Sequence, residues 1–216
     1  MDRYDFNIKV EQLQRLLVEG DDHNALRITD SIEWRRVHNA ELLVKVSELY
    51  ERAGRFAEAK EILLQAYDRA PVGRRLLFKL VGLALELGEG KEAEAYRSEY
   101  EELWPKDNGR HLLRYMLLKA KKAPPDRRID VLEKYNEKEI DERWRYELAL
   151  NYHQAGRRED CVRLCDNIML LFGVGEFVEK AAMLKTVEGV PLTEYQQNLL
   201  RNKRKLQERL KRVAAI

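Results

Sequence analysis

The chain has 216 residues, 44% of them hydrophobic and 36% charged, with 40 Lys and Arg against 38 Asp and Glu. Its 11 Gly and 5 Pro are too few for the many tight turns of a β-sandwich or barrel, and the apolar content excludes a disordered tail. The net charge of +2 hides one uneven stretch, Arg201 to Arg212, where seven basic residues face Glu208 alone.

At the start of the chain, Asp2, Arg3, Asp5 and Lys9 interrupt any apolar run of the kind a secretory signal needs. The longest apolar stretch, Leu76 to Leu87, is broken by Lys79 and Glu86 and falls short of the roughly 20 residues that span a bilayer. A cytoplasmic chain without a membrane span is the expectation. Cys161 and Cys165 lie four apart on a predicted helix, so they read as free thiols and not as a disulfide framework.

The predicted elements follow a period of 34 residues, which separates Gly54 from Gly88, Ala59 from Ala93 and Pro71 from Pro105. One period before Gly54 and Ala59 stand Gly20 and Ala25; two periods after Gly88 and Ala93 stand Gly156 and Cys161. Such a fixed period marks a repeat array. The units are approximately 6–39, 40–73, 74–107, 108–141 and 142–175. In each, the glycine falls between two helical stretches, where a residue of positive φ ends the first helix and lets the chain turn back. The small residue five positions later marks a close approach of two helices. From it, the second helices repeat apolar residues at i, i+3 and i+7: Ala25, Ile28, Ile32; Ala59, Ile62, Ala66; Cys161, Leu164, Ile168. The first helices carry a matching column, Leu16, Tyr50, Ala84, Leu118 and Tyr152. Each unit is a helical hairpin, and the fold class is all-α.

The fourth unit departs from this pattern. Lys122 stands where Gly is expected and Arg127 where Ala is, with Pro124-Pro125 between them. Proline cannot continue the first helix and suits the start of the second. Ile129 and Leu132 come two positions late, which predicts a loop longer by two residues and a shortened end. A bend that re-aims the surface and simple drift in a loop both fit. After Gly173 the period stops. Phe177 to Val187 reads as one more helix, and Thr193 with Gln196 forms a capping box opening a terminal helix whose apolar side is Leu192, Tyr195, Leu199 and Leu206. Residues 176–200 are expected to close the array, because a last repeat leaves its apolar face in water without such an element. Residues 201–216 are expected to form a basic helical tail.

These residues resemble the tetratricopeptide repeat family, whose 34-residue unit carries W-x2-L-G-x2-Y followed by Ala, an aromatic and Pro. The best copies are Val46-Ser47-x2-Tyr50 with Gly54, Ala59, Leu63, Ala66 and Pro71, and Leu148-Ala149-x2-Tyr152 with Gly156 and Cys161. The resemblance covers roughly residues 6 to 175. It implies a right-handed α-solenoid of about five hairpins in which the first helices line a concave face where partners bind. The inward positions are then Val10, Val44, Phe78, Leu112 and Tyr146, with Gln14, Glu48, Gly82, Met116 and Leu150 one turn on. Val44, Phe78, Leu112, Met116, Tyr146 and Leu150 form the expected apolar floor for a partner peptide or helix. The same column also fits plain packing between neighbouring first helices. Some members of the family hold a partner's terminal carboxylate with inward Lys, Arg and Asn; Glu48, Val44, Phe78, Gly82 and Leu112 at those places do not support such a clamp.

Chemistry has few other footholds. Cys161, Cys165 and His153 lack the fourth ligand and the spacing of a metal site, and His23, His38 and His111 are scattered with no Ser or Cys placed as a nucleophile. No cofactor, metal or catalytic residue is expected, and the function read from the sequence is non-catalytic protein binding. The alternative uses the tail cations Arg201, Lys203, Arg204, Lys205, Arg209, Lys211 and Arg212 on nucleic acid or an acidic partner; a solvated or coiled-coil helix, including a homodimer, also fits them.

Overall fold

The computed structural model describes residues 3–69 and 73–202, so all tail cations except Arg201 lie outside the described residues. Among the described residues all regular structure is helical. The helices come in pairs: α1 (Arg3–Glu19) with α2 (Asp22–Thr29), α3 (Ala40–Arg52) with α4 (Phe56–Arg69), and α5 (Arg74–Glu86) with α6 (Gly90–Leu103). They are followed by α7 (Gly109–Ala120) with α8 (Pro125–Asn136), α9 (Glu142–Gln154) with α10 (Arg158–Phe172), and α11 (Glu176–Val187) with α12, 194–202. The chain divides into two compact units after Leu117, within α7.

One turn geometry joins every pair. Gly20, Gly54, Gly88 and Gly156 have φ between 71° and 75°. The residue after each donates its backbone N–H to a carbonyl five residues back: Asp21 to Leu16 at 3.0 Å, Arg55 to Tyr50 at 2.9 Å, Glu89 to Ala84 at 2.8 Å and Arg157 to Tyr152 at 2.9 Å. This six-to-one bond satisfies a carbonyl that the helix end would otherwise leave open. The first-helix column picked out in the sequence is therefore also the set of turn acceptors. In the fourth pair Lys122 adopts φ 52°, and Ala123 donates to Leu118 at 2.9 Å, so the turn survives without glycine.

In the first unit the apolar stripes close on one core. Leu43, Leu49, Leu63, Leu77 and Leu80 have no exposed surface, and Ala25, Ala59 and Ala93, the small-residue column, are also fully buried. The hydroxyl of Ser47 donates to the carbonyl of Ala59 at 2.8 Å, which shows how closely α3 and α4 approach there. One expectation needs correction. α2 ends at Thr29, so Ile32 is buried in the turn that follows and not on the helix. Ser31 and Asp30 lead the backbone out of the helix, and the Trp34 indole donates to the Thr29 carbonyl at 3.0 Å, filling the space.

In the second unit Ile129, Leu132, Cys161, Cys165 and Ile168 are essentially fully buried. Pro125 occupies the first turn of α8, as its fixed φ favours. The loop before α8 is one residue longer than in the other pairs, not two: α8 starts three residues after Lys122, whereas α4, α6 and α10 start two after their glycines.

The segment expected to close the array repeats the hairpin geometry. Gly189 has φ 74°, and Val190 donates to the Lys185 carbonyl at 3.2 Å, the same six-to-one bond. The buried residues Leu148, Ala149, Asn151 and Tyr152 of α9 recur 33 residues later as buried Ala181, Ala182, Leu184 and Lys185. A tie to the preceding second helix also recurs. Tyr50 donates to Asp30 at 2.9 Å and Tyr152 to Glu133 at 2.6 Å; in α11 the Lys185 ammonium takes this place, 2.6 Å from Asp166. Thr193 and Gln196 form the capping box, at 3.0 and 3.3 Å. The buried residue on α12 is Gln196, bonded to Asp166 at 2.6 Å and to Lys185 at 3.2 Å, whereas Tyr195, expected on the apolar side, is 59% exposed.

Candidate functional site

The inward column of the first unit takes Val44 from α3, Phe78 from α5, and Leu112 and Met116 from α7. The repeat period gives these residues equivalent places on successive first helices. Val44, Phe78 and Met116 are half-buried and pack on the core; Leu112 is only 5% exposed and belongs to the interior. The Phe78 ring meets Tyr100 edge-on with centroids 6.4 Å apart, and Tyr100 meets Trp104 at 5.3 Å, so the aromatic anchor is braced from α6. Gly82 lies one turn beyond Phe78. A Cβ there would touch only the Met116 methyl, at 3.5 Å.

Charges beside this column neutralise one another. Glu48 holds Arg75 at 2.7 Å and Lys79 at 3.3 Å, and Lys79 also reaches Glu51 at 3.2 Å. Glu101 accepts from Arg114 at 2.7 Å and pairs with Arg97 at 2.8 Å. The hydrogen bond from the Arg114 guanidinium, with the Arg97 pair, holds the Glu101 carboxyl down at about 2. Arg75 and Lys79 are thus engaged with carboxylates.

In the second unit Tyr146 and Leu150 are half-buried on α9. The Phe177 ring of α11 lies 5.9 Å from that of Tyr146, and the Lys180 ammonium stands 6.0 Å from the Tyr146 centroid and 4.9 Å from that of Phe177. Burial raises the Tyr146 hydroxyl above its usual range. The next hairpin therefore covers part of this residue.

No protein-family model matches the chain, and no curated protein sequence matches it. Solved structures do. A thermophilic TPR protein of Thermus thermophilus, TTC0263, aligns with TM-score 0.65 and 16% identity over 82% of this chain and 97% of its own. A tetratricopeptide repeat protein from Parabacteroides merdae ATCC 43184 aligns with TM-score 0.59 and 19% identity over 97% and 89%. A MamA fragment from Desulfovibrio magneticus RS-1 aligns with TM-score 0.54 and 16% identity over 84% and 95%. The fold is that of the tetratricopeptide repeat.

Within these tetratricopeptide hairpins Cys161, Cys165 and His153, weighed in the sequence as metal ligands, have partners in the fold. Cys161 and Cys165 fill a buried slot, and the hydrogen bond between them, with burial, raises the Cys165 thiol. His153 pairs with Glu188 across to the end of α11. Among the described residues no three His, Cys, Asp or Glu side chains stand together to hold a metal, and no helix is long and apolar enough to cross a membrane. Sequence reasoning missed the Tyr-to-carboxylate ties, although their signal was present: Tyr50 and Tyr152 stand 102 residues, three full periods, apart. It also missed the cover that Phe177 and Lys180 give Tyr146, because α11 lay beyond the last unit in phase.

Proposed function

We propose that this chain is a non-catalytic protein-interaction scaffold whose first-helix column receives a partner peptide or helix on its apolar side chains. One observation carries the reading: Val44, Phe78 and Met116, at equivalent places on three successive first helices, are only half-buried on the core, and Gly82 keeps the place beside Met116 open. A braced aromatic ring next to a flexible thioether suits the apolar face of an amphipathic helix. Tyr146 and Leu150 belong to the same column of the repeat, and we propose for them the same role in the second unit.

The test is a peptide selected against the full chain from a random library, with its affinity measured by calorimetry. Gly82→Gln places a side chain beside Met116 while replacing a poor helix former by a good one. It should weaken the selected peptide at least about ten-fold, a loss of about 1.4 kcal/mol, with no loss of thermal stability. Unchanged affinity would remove the column from the binding surface.

A further inference from the structure

We propose a second interaction surface: the turn of the fourth hairpin, centred on Lys122 and Arg127, docks an acidic segment of a partner protein. Between Lys119 and Arg128 the sequence places five cations against Asp126 alone. The bend from α7 into α8 gathers them in one turn, with Lys121, Lys122 and Arg127 exposed.

Comparison with the equivalent turns shows what is unusual. In the second and fifth hairpins the cations are engaged by the protein itself: Arg52 by Asp22 at 2.7 Å, Arg55 by Asp30 and by Glu58 at 2.8 Å each, Lys60 by Glu89 and Glu92, and Arg157 by Asp160 at 2.7 Å; the third turn carries a single exposed cation, Lys91, set between Glu89 and Glu92 in sequence. In the fourth turn Lys119 holds Glu147 at 2.9 Å and Arg128 holds Gln154 at 2.8 Å. Lys122 and Arg127 have no such partner among the described residues.

The backbone adds a second observation. Lys122 is the one non-glycine with positive φ among the described residues, at a place where the other hairpins use glycine. A side chain there strains the backbone, and glycine makes the same turn without that strain. The turn does not need the lysine; its ammonium is what the substitution adds. Pro124 and Pro125 stiffen the loop that carries it. The Arg127 guanidinium presents a planar fork suited to a carboxylate, and Lys122, five residues earlier at the same turn, supplies a compact charge. A carboxylate-rich peptide fits better than nucleic acid, because residues 119–128 contain no aromatic ring on which a base would stack.

The test uses the full chain and a fluorescent oligo-glutamate peptide, followed by anisotropy at low and at physiological salt. The variant Lys122→Gly, Arg127→Gln removes both charges and restores glycine to the turn; the control Lys91→Gln, Lys106→Gln removes two exposed charges from the first unit. The first pair should raise the dissociation constant about ten-fold, as expected for two exposed ionic contacts, and the control by no more than about two-fold. Equal losses in the two variants, or none in the first, overturn the proposal. So does an oligothymidylate that binds more tightly than the peptide and is weakened by the same Lys122→Gly, Arg127→Gln variant, since that result assigns the turn to nucleic acid.

Discussion

Replacing Lys122 by glycine should make the chain more stable. Lys122 holds φ 52°, and it is exposed, so the left-handed backbone has no packing contact that requires its side chain. Holding an L-residue in this region costs about 1–2 kcal/mol. Glycine removes that cost but adds about 0.4–1 kcal/mol of freedom to the unfolded chain. The difference favours Lys122→Gly by about 0.5–1 kcal/mol, which corresponds to a rise of about 1–4 °C in the melting temperature of a chain of this size. The converse substitution is an internal check. Gly54 has φ 73° with nothing within 4 Å of where a Cβ would stand, so Gly54→Ala strains the backbone without a clash. It should cost about 1 kcal/mol. Urea unfolding followed by far-ultraviolet circular dichroism reads both, and the midpoints should move in opposite directions. If Lys122→Gly moves its midpoint down or not at all while Gly54→Ala also moves down, the lysine turn is not strained and the reasoning fails.

Two further outcomes follow from the polar ties. Glu101 is held at about 2 where an ordinary glutamate titrates near 4.5, so its stabilising effect is complete above the unfolded value and is lost as pH falls from about 4.5 towards 2. The full shift corresponds to about 3 kcal/mol, which solvent around the half-exposed Arg114 reduces to about 1–2 kcal/mol. Glu101→Gln should therefore flatten the acid limb of the stability profile of the wild type in that window while lowering stability at neutral pH; an unchanged limb would show that the Arg114 pair is worth nothing. Gln196→Ala removes the glutamine side of the capping box and one partner of the buried Lys185 ammonium, a local loss of about 1–3 kcal/mol. Hydrogen exchange should then accelerate across residues 194–202 and remain unchanged in α3 to α6; uniform protection would mean that α12 is held by other contacts.

The sequence made the hairpins legible because the turn imposes the same demands in every copy. A left-handed residue and an acceptor carbonyl five residues before the next donor recur at one spacing in five copies, and a small residue on the second helix in four of them, so the copies reinforce one signal. Burial along the inward column was not legible in the same way. Val44, Leu112 and Tyr146 occupy equivalent positions, yet Leu112 is interior, Val44 is half-buried and Tyr146 is partly covered by Phe177. What covers a side chain depends on the neighbouring helix, and the periodicity of a single helix carries no information about that.

The sixth hairpin shows how little is needed to hide a repeat. One residue is about 100° of helical rotation, so a unit shortened by one presents no match to a 34-residue template even when its packing is the same. α11 keeps the buried face of α9 at a spacing of 33, and the chemistry at its last turn changes as well: the tie made by a tyrosine hydroxyl in α3 and α9 is made by an ammonium in α11. Lysine in a column otherwise filled by Leu, Tyr and Ala reads in sequence as a surface charge, whereas its side chain is only 4% exposed. A buried ammonium persists only with partners that meet its charge and its donors, and Asp166 and Gln196 supply them. Gln196 thus has two duties that a hydrophobic residue at the same position would fail: it closes the cap of α12 and completes the polar site beneath it. That is why the face of α12 expected to be apolar turns Tyr195 outward and a glutamine in.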